Sequence, residues 1–290
     1  MKILVTGGRG QLGRSLTSRG PARGHEILAH DIDTLDICDE AAVARALDEM
    51  GPAAVINGAA YTGVDKAEGE RDKAFAVNRD GAAVLARTCA ARAVPLLHVS
   101  TDYVFDGTAT RPYREDDPIA PLGVYGVSKA EGEAAVHAHG GTVVRTSWLF
   151  AERGPSFVQT MLRLARERPV LRVVADQHGC PTWSDDLAEA LLALAGRRDL
   201  EPTYHYSNDG ATTWHAFASA IVDEARRHRP LACERIEAIT TAEYPTPARR
   251  PAYSVLDTTR IRALGITPPP WTIGLAAVVA AELTVKPMEH

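Results

Sequence analysis

Cysteine is scarce and scattered. The four residues Cys38, Cys89, Cys180 and Cys233 form no C-x-x-C pair, so the sequence suggests neither a zinc site nor a disulfide framework, and a reducing cytoplasm fits best. An excess of positive charge is also missing: 32 Lys and Arg stand against 37 Asp and Glu, for a net charge of -5. Without a broad basic field the chain lacks the footprint of non-specific phosphate-backbone binding, which argues against a nucleic-acid partner. Long apolar runs are absent as well. The opening MKILVTGG enters an apolar stretch but breaks it with glycines too soon for a signal peptide or a membrane span, so no membrane partner is expected. No internal repeat, low-complexity tract or charge block stands out.

What is present is an ordinary soluble composition, 45% apolar and 24% charged over 290 residues. That length holds one large α/β unit, or a nucleotide-binding domain with a smaller companion. Short apolar runs (ILV at 3 to 5, EIL at 26 to 28, AVI at 54 to 56, PLLHVS at 95 to 100, TVVRT at 142 to 146) alternate with helix-patterned stretches such as EAAVARALDEM at 40 to 50 and AAVLARTCAARA at 82 to 93. Alternation of this kind predicts βαβ units and a doubly wound parallel sheet of Rossmann type. Beyond about residue 150 the pattern loosens and proline and arginine become frequent, which suggests a smaller C-terminal α/β substrate domain. The strand-like TYHYSN at 203 to 208, followed by the helix-patterned TWHAFASAIVDEARR, returns to the sheet in this reading. The expected division is therefore discontinuous: residues 1–148 and about 180–213 for a dinucleotide, and about 149–179 and 214–290 for the substrate.

The first strand runs into TGGRGQLG at 6 to 13, where Gly8, Gly10 and Gly13 satisfy G-x-G-x-x-G and Gly7, Gly10 and Gly13 satisfy G-x-x-G-x-x-G. Glycines here permit a tight turn and close approach of backbone to a pyrophosphate, with the next helix, starting near Gln11, turning its amides toward that charge. Asp31, 18 residues beyond Gly13, follows the run EILAH. A carboxylate there accepts hydrogen bonds from the adenosine ribose and favours NADH, whereas the Arg9 guanidinium could meet the 2′-phosphate of NADPH; the choice stays open.

The apolar run LLHVSTDYVFDG at 96 to 107 ends abruptly in Ser100, Thr101 and Asp102. Ligands of open α/β sheets bind beyond the carboxyl ends of strands, so these groups are expected to face the cofactor crevice. In VYGVSKAEGE at 124 to 133, Tyr125 and Lys129 fall at i and i+4, on one face of a helix. A hydroxyl, a phenol and an ammonium suffice to protonate a carbonyl while a hydride arrives. Lys129 is expected to lower the phenol pKa from its usual ~10, and Thr101 to orient the substrate oxygen.

Together TGGRGQLG, STDYVF and YGVSK resemble the extended short-chain dehydrogenase/reductases. The segments NGAAYTGVDKAE (57 to 68), RTSWLF (145 to 150), DQHGCPTW (176 to 183) and YPTPARRPAYSVLDT (244 to 258) narrow the likeness to the dTDP-4-dehydrorhamnose reductase family over nearly the whole chain. The resemblance implies an NADH- or NADPH-dependent reduction of a dTDP-4-keto-6-deoxysugar, with Tyr125 as proton donor beside Thr101 and Lys129. It implies that Gly7, Gly10, Gln11, Leu12 and Gly13 touch the dinucleotide, with Asp31, Asp36 and Ile37 near the adenosine. Ala60, Tyr61 and Thr62 then line its central portion, and Lys129 holds the nicotinamide ribose. Thr101, Asp102, Tyr103 and Trp148 are expected at the sugar nucleotide. The adjacent guanidiniums of Arg249 and Arg250 suit its diphosphate.

The chain departs from the family pattern at Ser15, where some members carry a glutamate that helps hold magnesium between subunits. Asp185 and Glu282 remain as candidate carboxylates, but losing one anionic ligand weakens a hard-cation site, so no resident metal is expected and a homodimer would not depend on magnesium. Two rival readings stand beside the reductase. One is a 4-ketoreductase of another dTDP-4-keto-6-deoxysugar in secondary metabolism. The other is a non-catalytic regulatory subunit, since a relative of this fold is the regulatory partner of methionine adenosyltransferase; retention of Thr101, Tyr125 and Lys129 argues against it.

Overall fold

The computed structural model describes residues 1–284. The five apolar runs become strands β1 (Lys2–Thr6), β2 (Glu26–His30), β3 (Ala54–Asn57), β4 (Leu96–Thr101) and β5 (Thr142–Thr146). Every residue of β3 and β5 is buried, as expected of strands covered by helices on both faces. A sixth strand, Thr203–His205, pairs with β5, so TYHYSN does rejoin the sheet. The order across the sheet is Thr203–His205, β5, β4, β3, β1, β2, and every pairing is parallel. The chain steps outward from β1 to β2 and then crosses back to β3 on the other side of β1. That reversal opens a crevice at the carboxyl ends of β1 and β3, the place where doubly wound sheets bind ligands.

Helix α1 (Gln11–Arg19) follows the glycine loop, and α2 (Glu40–Met50) fills the stretch read from its spacing. The Asp39 side chain caps α2 by accepting from the Ala42 N–H, and Gly51, at φ 54°, ends it in the left-handed region. The helix expected over 82 to 93 differs at both ends. It stops at Ala90, and upstream a π-helical turn, Ala76–Gly81, joins it to Arg71–Phe75. The turn carries the buried Asn78, whose amide bonds the Tyr61 N–H (2.8 Å), the Tyr61 carbonyl (3.1 Å) and Ser128 Oγ (3.0 Å). One side chain thereby fastens the loop after β3 to the helix that carries Tyr125.

Apolar side chains gather into separate clusters. Around the sheet, the helix Ser184–Ala195 presses Leu187, Leu191 and Leu194 into the same core as Leu12 and Leu16 of α1. A second core lies among the helices Phe157–Glu167, Trp214–Arg226 and Trp271–Thr284, with Phe217, Ile221 and Val278 deeply buried. A parallel strand pair, Val170–Val174 with Arg235–Ile239, adds Leu171 and Val173 to it. Fully burying a side chain of this kind contributes about 1.5–3 kcal/mol, so each core is large enough to organise its surroundings.

Candidate active site

The glycine loop owes its shape to backbone packed on backbone. Gly7 sits at φ 71°, and a Cβ added there would lie 2.7 Å from the Ala59 nitrogen of the loop after β3. A Cβ on Gly13 would lie 2.6 Å from the Gly8 Cα and closer still to the Gly7 carbonyl. The Gly10 N–H donates to that carbonyl at 3.0 Å. Gly10 also caps α1 with no side-chain bond and no acidic residue in the first turn, so the first-turn amides, at residues lining the cleft, have no competing side-chain partner for an anion. Asp31 closes the far side by accepting from the Arg9 N–H (2.8 Å) and the Ile32 N–H (2.9 Å). The Arg9 guanidinium pairs with Asp33, and both side chains are mostly exposed. An exposed, solvent-screened pair of this kind is worth at most about 1 kcal/mol, so Arg9 can be recruited by another anion.

At the other end, β4 delivers Thr101, whose hydroxyl donates to Asp102 Oδ1 (3.1 Å) and accepts from the Tyr103 N–H (3.2 Å). Asp102 is 1% exposed and its Oδ2 makes no hydrogen bond. Burial outweighs the nearby Ser254 and Thr101 hydroxyls and pushes the Asp102 carboxyl up to about 6.

The helix Val124–Ala138 places Tyr125 and Lys129 on one face, as their spacing requires. It is locked to β5 by a buried fork in which Arg145 donates to both Glu133 oxygens, at 3.0 and 2.7 Å. Its first N–H, that of Val124, donates to the Glu68 carboxylate at 2.9 Å. Gly126 lets it press against the Tyr103 carbonyl, and the Tyr103 ring meets Tyr125 edge-on at 5.6 Å.

The acidity of Tyr125 differs from the expectation. Burial pushes the phenol up to about 12, Asp102 adding to the rise and the Thr101 hydroxyl opposing it. The amine of Lys129 is turned away from a purely charged role: Nζ donates to the Val99 carbonyl at 2.7 Å, lies 3.2 Å from His98 Nε2, and is pushed down to about 8 by burial. Desolvation thus overrides the pairwise attraction that sequence spacing alone suggests. At neutral pH the Tyr125 phenol therefore keeps its proton.

One cleft of about 890 Å³ gathers every catalytic, dinucleotide and substrate residue that the resemblance implies except Arg249 and Arg250, while the candidate metal carboxylates Asp185 and Glu282 do not line it. Arg250 instead forks Asp65, at 2.9 and 3.3 Å, and the Ala248 N–H joins the same carboxylate at 3.2 Å. The segment YPTPARRPAY is therefore strapped to the start of the helix Val64–Ala67, beside the cleft wall, while Arg249 is exposed. Trp148 lines the cleft at φ 46° and stacks on Trp214, with ring centroids 3.6 Å apart and planes within 9°.

Sequence reasoning missed Trp214 and Arg153, which also line the cleft. Trp214 begins a helix of the second core, and nothing in TTWHAF distinguishes it from a core residue. Arg153 belongs to a loop tied over α1 by Gln11 Nε2 donating to the Pro155 carbonyl at 2.8 Å. At the position of the family's magnesium ligand, Ser15 Oγ meets Ser184 Oγ at 2.8 Å, and Asp185 is engaged by Arg19 at 2.6 Å. Among the described residues no group of three or more His, Cys, Asp or Glu is placed to hold a metal, and no helix is long and apolar enough to cross a membrane.

Residues 1–284 match the family model described as RmlD substrate binding domain. The chain is 45% identical over 289 residues to a dTDP-4-dehydrorhamnose reductase of Aggregatibacter actinomycetemcomitans, covering 96% of this chain and 98% of the relative. It is 46% identical over 273 residues to the dTDP-4-dehydrorhamnose reductase of Streptomyces griseus, covering 91% and 88%. Among solved structures, a dTDP-4-dehydrorhamnose reductase of Bacillus anthracis str. Ames in complex with NADP superposes with a TM-score of 0.90 at 36% identity, covering 96% of this chain and 98% of that one.

Proposed function

The chain belongs to the RmlD substrate binding domain family, and on that premise we propose that it is an NAD(P)H-dependent oxidoreductase that reduces the C4 keto group of dTDP-4-dehydro-L-rhamnose to give dTDP-L-rhamnose. The observation that carries this reading is the meeting of Thr101, Tyr125 and Lys129 at the carboxyl ends of the strands, in the same cleft as the uncapped first turn of α1. Reduced nicotinamide, when bound, supplies the hydride. Tyr125 donates the proton that the C4 oxygen needs, and Thr101 orients that oxygen through its hydroxyl. The α1 amides and Gly7, Gly10 and Gly13 would hold the pyrophosphate, with Asp31 at the adenosine ribose. The Trp148–Trp214 stack offers a flat apolar wall suited to a sugar or base.

The same reading assigns the dinucleotide to 1–148 and about 180–213 and the sugar nucleotide to about 149–179 and 214–290, a division in keeping with the core among the helices Phe157–Glu167, Trp214–Arg226 and Trp271–Thr284, although Ile261 packs into the sheet's core. It makes the protein a cytoplasmic enzyme, in keeping with four free cysteines, and leaves room for a homodimer that needs no magnesium, with sedimentation velocity as the test of assembly. The decisive experiment follows cofactor oxidation by purified protein with dTDP-4-dehydro-L-rhamnose and with other dTDP-4-keto-6-deoxysugars. Preferred turnover of the first supports the proposal. Preference for another sugar reassigns the substrate, and no oxidation with any of them would favour the regulatory-subunit alternative.

A further inference from the structure

Behind Lys129 runs a buried chain of polar side chains, and its donors and acceptors can be counted. Asn57 on β3 and His98 on β4 are each 1% exposed, as is Lys129. The Ala59 N–H, which can only donate, points at Asn57 Oδ1 at 3.0 Å. Thr6 Oγ1 donates to the same oxygen at 2.6 Å. These two bonds fix the amide orientation, so the group facing His98 Nδ1 at 2.8 Å is the Asn57 Nδ2 donor.

His98 Nδ1 must then accept, which places the single ring proton of a neutral imidazole on Nε2. That N–H faces Lys129 Nζ at 3.2 Å. An ammonium has no lone pair to accept it, whereas a neutral amine has one, together with an N–H for the Val99 carbonyl and another left for a ligand in the cleft. A charged Lys129 would leave two donors facing each other, or force the imidazole to change tautomer and clash with Asn57 instead. Charging the imidazole is opposed by burial, which holds His98 well below its ordinary value, and would set a second N–H against the Asn57 Nδ2 donor.

We propose that His98, its tautomer set by Asn57, is a positioning residue that favours the uncharged form of Lys129 in the ligand-free protein, so that the amine gives up its proton at lower pH than an exposed lysine. The surrounding charges leave this arrangement in control. Glu133, four residues along the helix from Lys129, pulls toward the charged form, but its carboxylate is held by Arg145 of β5. His137, on the same helix, adds only to the pressure against a charged His98. Tyr125, on the same helix face, is a neutral phenol. Burial acts in the same direction as the hydrogen-bond count.

The test needs no substrate, so its outcome is separate from that of the reductase reading. In full-length protein carrying ¹³C-labelled lysine, the ε-carbon resonance lost in Lys129→Met is followed by NMR against pH. The midpoint is expected well below that of the exposed lysines in the parent. His98→Gln, whose amide can turn its oxygen to the ammonium, should raise it by about one pH unit or more. Asn57→Asp serves as a second variant, since it offers an acceptor to Nδ1 and frees Nε2 to accept from an ammonium; it should also raise the midpoint. A Lys129 that titrates with the exposed lysines, or a midpoint that neither variant moves, would overturn the proposal.

Discussion

At the glycine-loop end of the cleft the groups offered to a ligand are backbone amides, shaped by glycines that touch other backbone atoms. At the Tyr125 end they are side chains fastened by buried hydrogen bonds. The first end tolerates exposed and exchangeable charges such as Arg9 and Asp33. At the second, burial moves Asp102, Tyr125 and Lys129 all toward their neutral forms. A substitution at one end therefore acts through space, and at the other through protonation.

The contrast is sharpest for Tyr125→Phe, which keeps the ring and removes the proton. Turnover should fall by about 10²- to 10⁴-fold with dinucleotide affinity largely intact, as single-turnover assays and binding titrations would register. A variant with near-parent turnover would take Tyr125 out of the chemistry. Gly13→Ala is the converse case. Its methyl meets the Gly7 carbonyl and Gly8 backbone, so a cost of roughly 1–3 kcal/mol is expected in stability, dinucleotide affinity or both, with turnover at saturating cofactor little changed. An unperturbed denaturation midpoint together with unperturbed dinucleotide affinity would mean the loop moves freely.

Asp31→Ala should shift selectivity toward NADPH by about tenfold, the equivalent of losing about 1.4 kcal/mol of charged hydrogen bonding, with the Arg9 guanidinium, held only by its exposed pair with Asp33, at hand to meet the phosphate. An unchanged NADPH-to-NADH ratio of kcat/KM would place the ribose elsewhere. Arg250→Ala breaks a partly exposed pair with Asp65 and should cost less than about 1 kcal/mol of stability. The sequence reading expects one of Arg249 and Arg250 to grip the diphosphate, yet neither lines the cleft. A strongly raised KM for the dTDP-sugar in Arg249→Ala or Arg250→Ala would show that their segment joins the site on binding. The smallest effect is expected of EDTA, which should alter neither sedimentation nor activity; a clear shift would mean that other ligands rebuild the magnesium site around Ser15.

Much of the fold was legible because the strands are short, apolar and evenly interrupted, and because α2 carries both its cap and its terminating glycine in sequence. The cleft was legible where local spacing suffices: the glycine loop, Thr101 at a strand end, and the Tyr125–Lys129 pair. What escaped depends on residues far apart in the chain. The π-helical turn at Ala76–Gly81 is stabilised by Asn78 reaching Tyr61 and Ser128, contacts no periodicity encodes. The raised phenol of Tyr125 arises from burial, which i, i+4 spacing does not report. Trp214 and Trp148 lie 66 positions apart in sequence and meet only because the second core turns one helix end toward the sheet.

That pair of indoles also gives the protein an optical signature of its own. Two indoles lying flat on one another couple their electronic transitions, and the coupling weakens steeply as the rings part or tilt. One ring stands two residues past the end of β5, the other opens the helix Trp214–Arg226, and both pack against the second core. A ligand or substitution that parts or tilts these rings at the cleft wall is therefore expected to be written into the circular dichroism and fluorescence of Trp148 and Trp214, without a label and without turnover.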